Sequence, residues 1–182
     1  MTEHELNAFI RRAAVKNGLC LTWQAAWYED WPMQKLADKF YEGIDFFIEK
    51  RFITNEYIKR AFPLVFLRDN AILVDDKYSL INPSQYDAKT CYAIMLGKTE
   101  SKVRLNNRNI ATCYLCDDSR SEFTIRHNAS LLIHLFDNAV ANVKILDEAK
   151  VTVLIHSETA TFTFSGSDDA VTMKKDLNYL KK

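Results

Sequence analysis

From Gly97 to Gly166 the sequence repeats every ten residues, as GKTESKVRLN, NRNIATCYLC, DDSRSEFTIR, HNASLLIHLF, DNAVANVKIL, DEAKVTVLIH and SETATFTFSG. Most blocks open with polar turn formers, at Asn107, Asp117-Asp118, His127-Asn128, Asp137-Asn138 and Asp147-Glu148. The odd positions then form columns. The third position is small, as at Ser119, Ala129 and Ala139. The fifth is small to medium, as at Ser101, Ala111 and Leu131. The seventh is apolar, as at Val103, Phe123 and Ile133. The ninth is aliphatic in the first six blocks: Leu105, Leu115, Ile125, Leu135, Ile145 and Ile155.

Apolar residues two apart, bounded by turn formers, mean β-strands with one buried face. A fixed period over seven blocks means that each unit buries that face only by stacking on its neighbours. Two arrangements satisfy this. Each block is one strand of an antiparallel β-meander, or each is half a coil of a two-sided β-solenoid in which alternate blocks stack in parallel.

The outward positions discriminate. The blocks starting at 107, 127 and 147 point out Ile110, Tyr114, Cys116, Leu132, His134, Phe136, Leu154 and His156. The alternate blocks point out Glu100, Lys102, Arg104, Arg120, Glu122, Arg126, Asn142 and Lys144. A solenoid separates these sets onto an apolar and a charged face, whereas a meander interleaves them. The segregation is imperfect at Val140 and Leu146, but it favours the solenoid. In the last block the apolar phase slips to Ala160, Phe162 and Phe164; either a one-residue bulge near Ser157 restores the register, or this block is an atypical terminal coil of the kind that caps solenoids.

The reading is therefore an α+β chain: a helical head over 1–62, a hairpin and connecting loop over 63–90, the decad solenoid over 91–166, and a cap helix or tail over 167–182. In the head, Thr2-Glu3-His4-Glu5 is a capping box. Leu6, Phe9, Ile10, Ala13 and Ala14 follow at helical spacing, and Asn17-Gly18 ends that helix. A second segment runs from Leu19 to Tyr28. A third helix runs from Pro32 to about Arg51, and Thr54 caps a short fourth ended by Pro63. The many aromatic rings of the head read as its core. Leu64 to Asp76 reads as two short strands around Arg68-Asp69-Asn70, and Tyr78 to Tyr86 as a loop marked by Asn82-Pro83-Ser84. Ser167-Asp168-Asp169 is read as capping a final helix that carries Val171, Leu177 and Leu180.

Composition narrows the class. Lys and Arg number 24 and Asp and Glu number 24, for a formal net charge of zero, which argues against electrostatic binding to nucleic acid or an anionic membrane. No stretch approaches the roughly 18 to 20 apolar residues of a membrane span. The polar start, Met1-Thr2-Glu3-His4-Glu5, is not a secretory leader. Four scattered cysteines suit a reducing, cytoplasmic setting. Cys113 and Cys116 are three apart on a strand and so face opposite sides, which disfavours a metal knuckle.

The chain contains no Gly-rich phosphate loop, no H-E-x-x-H, no nucleophile elbow and no zinc-ligand spacing. No catalytic, cofactor-binding or metal set is assigned. One constellation stands out: Cys116, His134 and His156 share a face of successive stacked blocks, where they would converge on a metal or act as acid and base. The plain alternative makes them interface residues among Tyr114, Leu132, Phe136 and Leu154.

The runs Arg126-His127-Asn128-Ala129 and Asp137-Asn138-Ala139, with the head segment Tyr41-Glu42-Gly43-Ile44-Asp45-Phe46, resemble small bacterial proteins of unassigned function that often travel with prophages and mobile elements. The resemblance covers most of the chain and implies no reaction. The functional expectation is a non-enzymatic protein-binding or scaffold module that meets a protein partner or itself. The alternative is an enzyme with a site between head and solenoid involving His134 and His156.

Overall fold

The computed structural model describes residues 2–28, 30–81 and 90–181. The chain divides into two compact units, Met1–Leu64 and Val65–Lys182. No helix among the described residues is long and apolar enough to cross a membrane.

Among the described residues the first unit holds five helices: α1 (Glu3–Lys16), α2 (Leu21–Ala26), α3 (Met33–Glu42), α4 (Ile44–Lys50) and α5 (Asn55–Ala61). The capping box forms: Glu5 N–H donates to Thr2 Oγ1 at 3.2 Å and Thr2 N–H donates to Glu5 Oε2 at 2.7 Å. Thr54 caps α5 in the same way through Tyr57 N–H. The single helix expected from Pro32 to Arg51 is two, broken at Gly43, where an added Cβ would lie 3.4 Å from the Trp23 ring. The aromatic rings pack as a core, with Phe40 on Phe47 at 4.4 Å and Trp27 on Trp31 at 5.1 Å. Asn7, fully buried, ties this core together: its amide donates to Tyr28 C=O and accepts from Trp27 Nε1–H at 2.6 Å.

The second unit is a β-solenoid with eleven strands among the described residues. In chain order these are β1 (Ile72–Val74), β2 (Lys77–Ile81), β3 (Thr90–Leu96), β4 (Glu100–Leu105), β5 (Ile110–Leu115), β6 (Arg120–Ile125), β7 (Ser130–Leu135), β8 (Val140–Ile145), β9 (Lys150–Ile155), β10 (Thr161–Ser165) and β11 (Val171–Lys175). They alternate between two parallel sheets, β1-β3-β5-β7-β9-β11 and β10-β8-β6-β4-β2. Among the described residues, blocks adjacent in sequence lie in different sheets and do not pair. Residues twenty apart do, as in Phe123↔Val143 and Ile133↔Val153, so the solenoid holds and the meander does not. The seventh and ninth columns fill the space between the sheets, with Val103, Phe123, Val143, Leu105, Ile125 and Ile145 at 5% exposure or less. Each such side chain stabilises the fold by roughly 1.5–3 kcal/mol.

The corners explain the block openings. The first residue of each block from 107 to 147 has a φ between 51° and 61°, a left-handed backbone that Asn and Asp tolerate best after Gly. Its side chain also caps the preceding coil. Asp117 takes Gly97 N–H at 2.7 Å, Asp137 takes Asp117 N–H at 2.9 Å, and Asp147 takes His127 N–H at 3.0 Å. The second position adds a further row, Asn138 to Asp118 and Asn128 to Glu148. Small third-position residues turn into the corner, and Ala129, Ala139 and Ala149 are wholly buried there.

Both ends depart from the sequence reading. Leu64 to Asp76 is not a hairpin: α6 (Leu64–Asp69) leads into β1, and β1 and β2 enter different sheets. Arg68 then reaches Asp76 in a bidentate pair at 2.8 Å and stacks on Tyr78. Lys77–Ile81, expected to be partly loop, is a strand because it pairs with β4; Asn82-Pro83-Ser84 lies outside the described residues. At the far end one extra residue is present, in the corner between β9 and β10 and not as a bulge within a strand. Ser165 pairs with Lys144, an offset of 21, whereas the coils before it are offset by 20. By Val171↔Val151 the offset is 20 again. The expected C-terminal helix is corrected to a short 3-10 turn (Asp168–Ala170), strand β11 and a second 3-10 turn (Tyr179–Lys181). Val171 and Met173 alternate, and the open edge of β9 supplies the ladder that a free helix would lack.

Candidate functional site

The two outer faces of the solenoid differ as the sequence implied. On the sheet of β2, β4, β6, β8 and β10, burial alternates in the inner strands: β4, β6 and β8 bury every second residue. Parallel register then places like positions side by side about 4.8 Å apart. One row runs Lys77, Glu100, Arg120; the next runs Ser79, Lys102, Glu122, Asn142. Lys77 pairs with Glu100 at 2.9 Å and Lys102 with Glu122 at 3.2 Å, all four side chains more than half exposed. These rows line a shallow hollow. Exposed pairs of this kind contribute little to stability, roughly 0–1 kcal/mol each. What they fix is a pattern of alternating charge.

The opposite face, on the other sheet, carries the sequence-predicted site residues. Tyr114 and Phe136 are buried, at 7% and 4% exposure, while Leu132 and Leu154 are intermediate. Tyr114 and Phe136 therefore present little free area to a partner. Cys116 is wholly buried and forms no disulfide among the described residues. His134 and His156 do come together. His134 Nδ1 lies 3.1 Å from His156 Nε2. His156 Nδ1 lies 3.0 Å from the main-chain carbonyl of Asp176. A carbonyl only accepts, so His156 Nδ1 carries the hydrogen. In the neutral pair its Nε2 is then the acceptor, and His134 Nδ1 donates.

Aromatic rings enclose the pair. Tyr114 stacks on His134 at 4.6 Å, Phe136 on His156 at 4.5 Å, and Tyr179 leans on His156 at 4.3 Å. Burial, with the neighbouring His156 adding to it, lowers the His134 pKa to about 4. Cys116 does not join the histidines. It occupies the tenth position two strands from His156, about 9–10 Å at strand spacing. Among the described residues no group of three or more His, Cys, Asp or Glu is placed to hold a metal ion.

Cys113 faces inward in the seventh column, where burial pushes its thiol up to about 12. Such a thiol is a core residue, not a nucleophile. Tyr179 and the Asp176 carbonyl reach the site because Val171–Lys175 is a strand followed by a 3-10 turn, where the sequence reading places a helix. The alternation of Val171 with Met173 was the available signal. Comparison with known protein families, curated proteins and solved structures found no match to this chain.

Proposed function

We propose that this chain is a non-enzymatic protein-recognition scaffold whose binding surface is the charged face of the β2–β10 sheet. The observation that carries the reading is the lateral register of Lys77, Glu100 and Arg120 beside Lys102 and Glu122. Parallel stacking holds these charges on a rigid lattice, so the face offers a fixed alternating pattern to a protein of complementary pattern. Alternating charge selects a partner by penalising mismatched neighbours more than by adding affinity. Solenoids commonly use such extended surfaces for recognition. This reading sets aside the interface expected around Tyr114, Leu132, Phe136 and Leu154, because Tyr114 and Phe136 are buried and Leu132 and Leu154 are only partly exposed.

The test is an affinity pull-down from host lysate with wild type beside the double swap Lys102→Glu, Glu122→Lys. The swap keeps net charge and the ion pair but inverts the pattern. A stoichiometric protein captured by wild type and lost by the swap supports the reading. Equal capture by both, or no partner at low and high salt, overturns it.

A further inference from the structure

The C-terminal turn of the solenoid is fastened to the sheet by the histidine pair. After β11, Tyr179 N–H donates to the Asp176 carbonyl at 3.2 Å and closes a turn. The same corner in earlier coils closes through Ser119 to Cys116 and Ala139 to Phe136. In those coils the third residue is small and turns into the core. Tyr179 is too large for that corner, and its ring instead lies on the outer face, 4.3 Å from His156 and 6.2 Å from Phe136. The Asp176 carbonyl accepts a second hydrogen bond, from His156 Nδ1–H. One oxygen thus joins the turn to β9, and His156 is held in place by His134.

We propose that the His134–His156 pair is a proton-operated latch that holds the 176–181 segment on the sheet and releases it in acid. The proton inventory gives the mechanism. The neutral pair has one hydrogen between the rings, on His134 Nδ1. One added proton is accommodated: His156 Nε2–H donates to His134 Nδ1, whose own hydrogen moves to Nε2, and the bond to Asp176 remains. A second proton leaves two cations with no acceptor between them, and the contact breaks. His134 is 5% exposed and set in β7, whereas His156 borders the terminal turn, so His156 and the turn are what move.

Among the described residues of the solenoid unit, the titratable groups in ring contact with the pair include the phenols of Tyr114 on β5 and Tyr179 on the turn. Lys174 on β11 lies in register with Leu154 of β9 and so two strands from His134. The carboxyl group of Asp176 belongs to the turn itself. The two phenols are neutral throughout the acid range. The low pKa of His134 places the second proton near pH 4.

The experiment is amide hydrogen exchange by mass spectrometry on the full chain between pH 7 and 4, corrected for intrinsic rates. Peptides covering 176–181 are compared with peptides covering β7. In wild type the C-terminal segment is expected to lose at least tenfold protection toward pH 4 while β7 stays protected. In His134→Phe, which has neither the bond to His156 nor a second charge, the segment is less protected than in wild type at pH 7, but its protection does not fall further toward pH 4. In His156→Ala it is already unprotected at pH 7 with β7 intact. The latch is overturned by wild-type protection that does not change with pH, by loss from both regions together, by the same acid loss in His134→Phe, or by full protection in His156→Ala.

Discussion

Asp137 Oδ2 accepts the main-chain N–H of Asp117, twenty residues earlier, at 2.9 Å, and both residues have left-handed φ angles. One side chain thereby meets two demands: it tolerates the backbone of its own corner and it caps the corner of the coil below.

Substitution separates the two demands. Asp137→Ala loses the bond, about 1 kcal/mol, and forces a Cβ without polar compensation into the left-handed region, about 1–2 kcal/mol. Asp137→Gly loses the bond but relieves the backbone. Asp137→Asn keeps an acceptor and stays within about 0.5 kcal/mol of wild type by the same reasoning. Urea unfolding midpoints should rank Asn above Gly above Ala. If Ala and Gly prove equal, the backbone contribution at this corner is absent.

Ser119 occupies the same corner column as Ala139, and its buried Oγ has no hydrogen-bond partner. Thr99, one coil earlier, satisfies its hydroxyl through the Leu96 and Leu73 carbonyls. Ser119→Ala removes an unsatisfied polar group and leaves the methylene contacts, so it should stabilise by about 1 kcal/mol. A thermal midpoint that falls would show that the hydroxyl makes a useful contact.

The solenoid was legible because its signal is redundant. Six aliphatic ninth positions and five polar openings state the same corner again and again, so a misreading at any one residue changes little. The partition of outward residues also carried through, since one face alternates charge and the other buries Tyr114, His134 and Phe136. The ends were not legible, because terminal coils lack that repetition. Lys175 sits in the ninth column, stacked on Ile155, yet it is exposed and pairs with Glu158. A charged residue there hides the last strand from a pattern built on aliphatics. The His134–His156 contact was foreseen as a shared face. Its burial was not, since it depends on Tyr179 folding back, a consequence of size at one corner.

Gly166 closes the terminal coil over Ile145. Its φ is 137°, and an added Cβ would lie 2.8 Å from the Ile145 carbonyl oxygen and 2.9 Å from the Ile145 Cβ. Neither atom is a flexible chain end, so β8 or β10 must shift. Gly166→Ala should cost about 1–3 kcal/mol. Gly18→Ala is the comparison: φ there is 92° with open space around the Cβ, so backbone strain acts alone and the loss is smaller. Equal losses at the two glycines would mean that the terminal coil yields freely.

The buried imidazole of His134 makes stability depend on pH above the range where carboxylates titrate. Its pKa in the folded chain is about 4, against an ordinary 6.5. Between these values the unfolded chain holds a proton that the folded chain does not, so stability falls as pH drops through 6.5 and this loss is complete near pH 4. At about 1.36 kcal/mol per unit the full effect is up to ~3 kcal/mol. His134→Phe keeps an aromatic ring between Tyr114 and Phe136 but loses the bond to His156, about 1 kcal/mol. The variant should therefore be the less stable protein at pH 7.5 and the more stable one near pH 4.5, with the two curves crossing between. Denaturant unfolding at half-unit steps of pH measures this directly. Parallel curves would show that His134 takes its proton in the folded chain as readily as in the unfolded one.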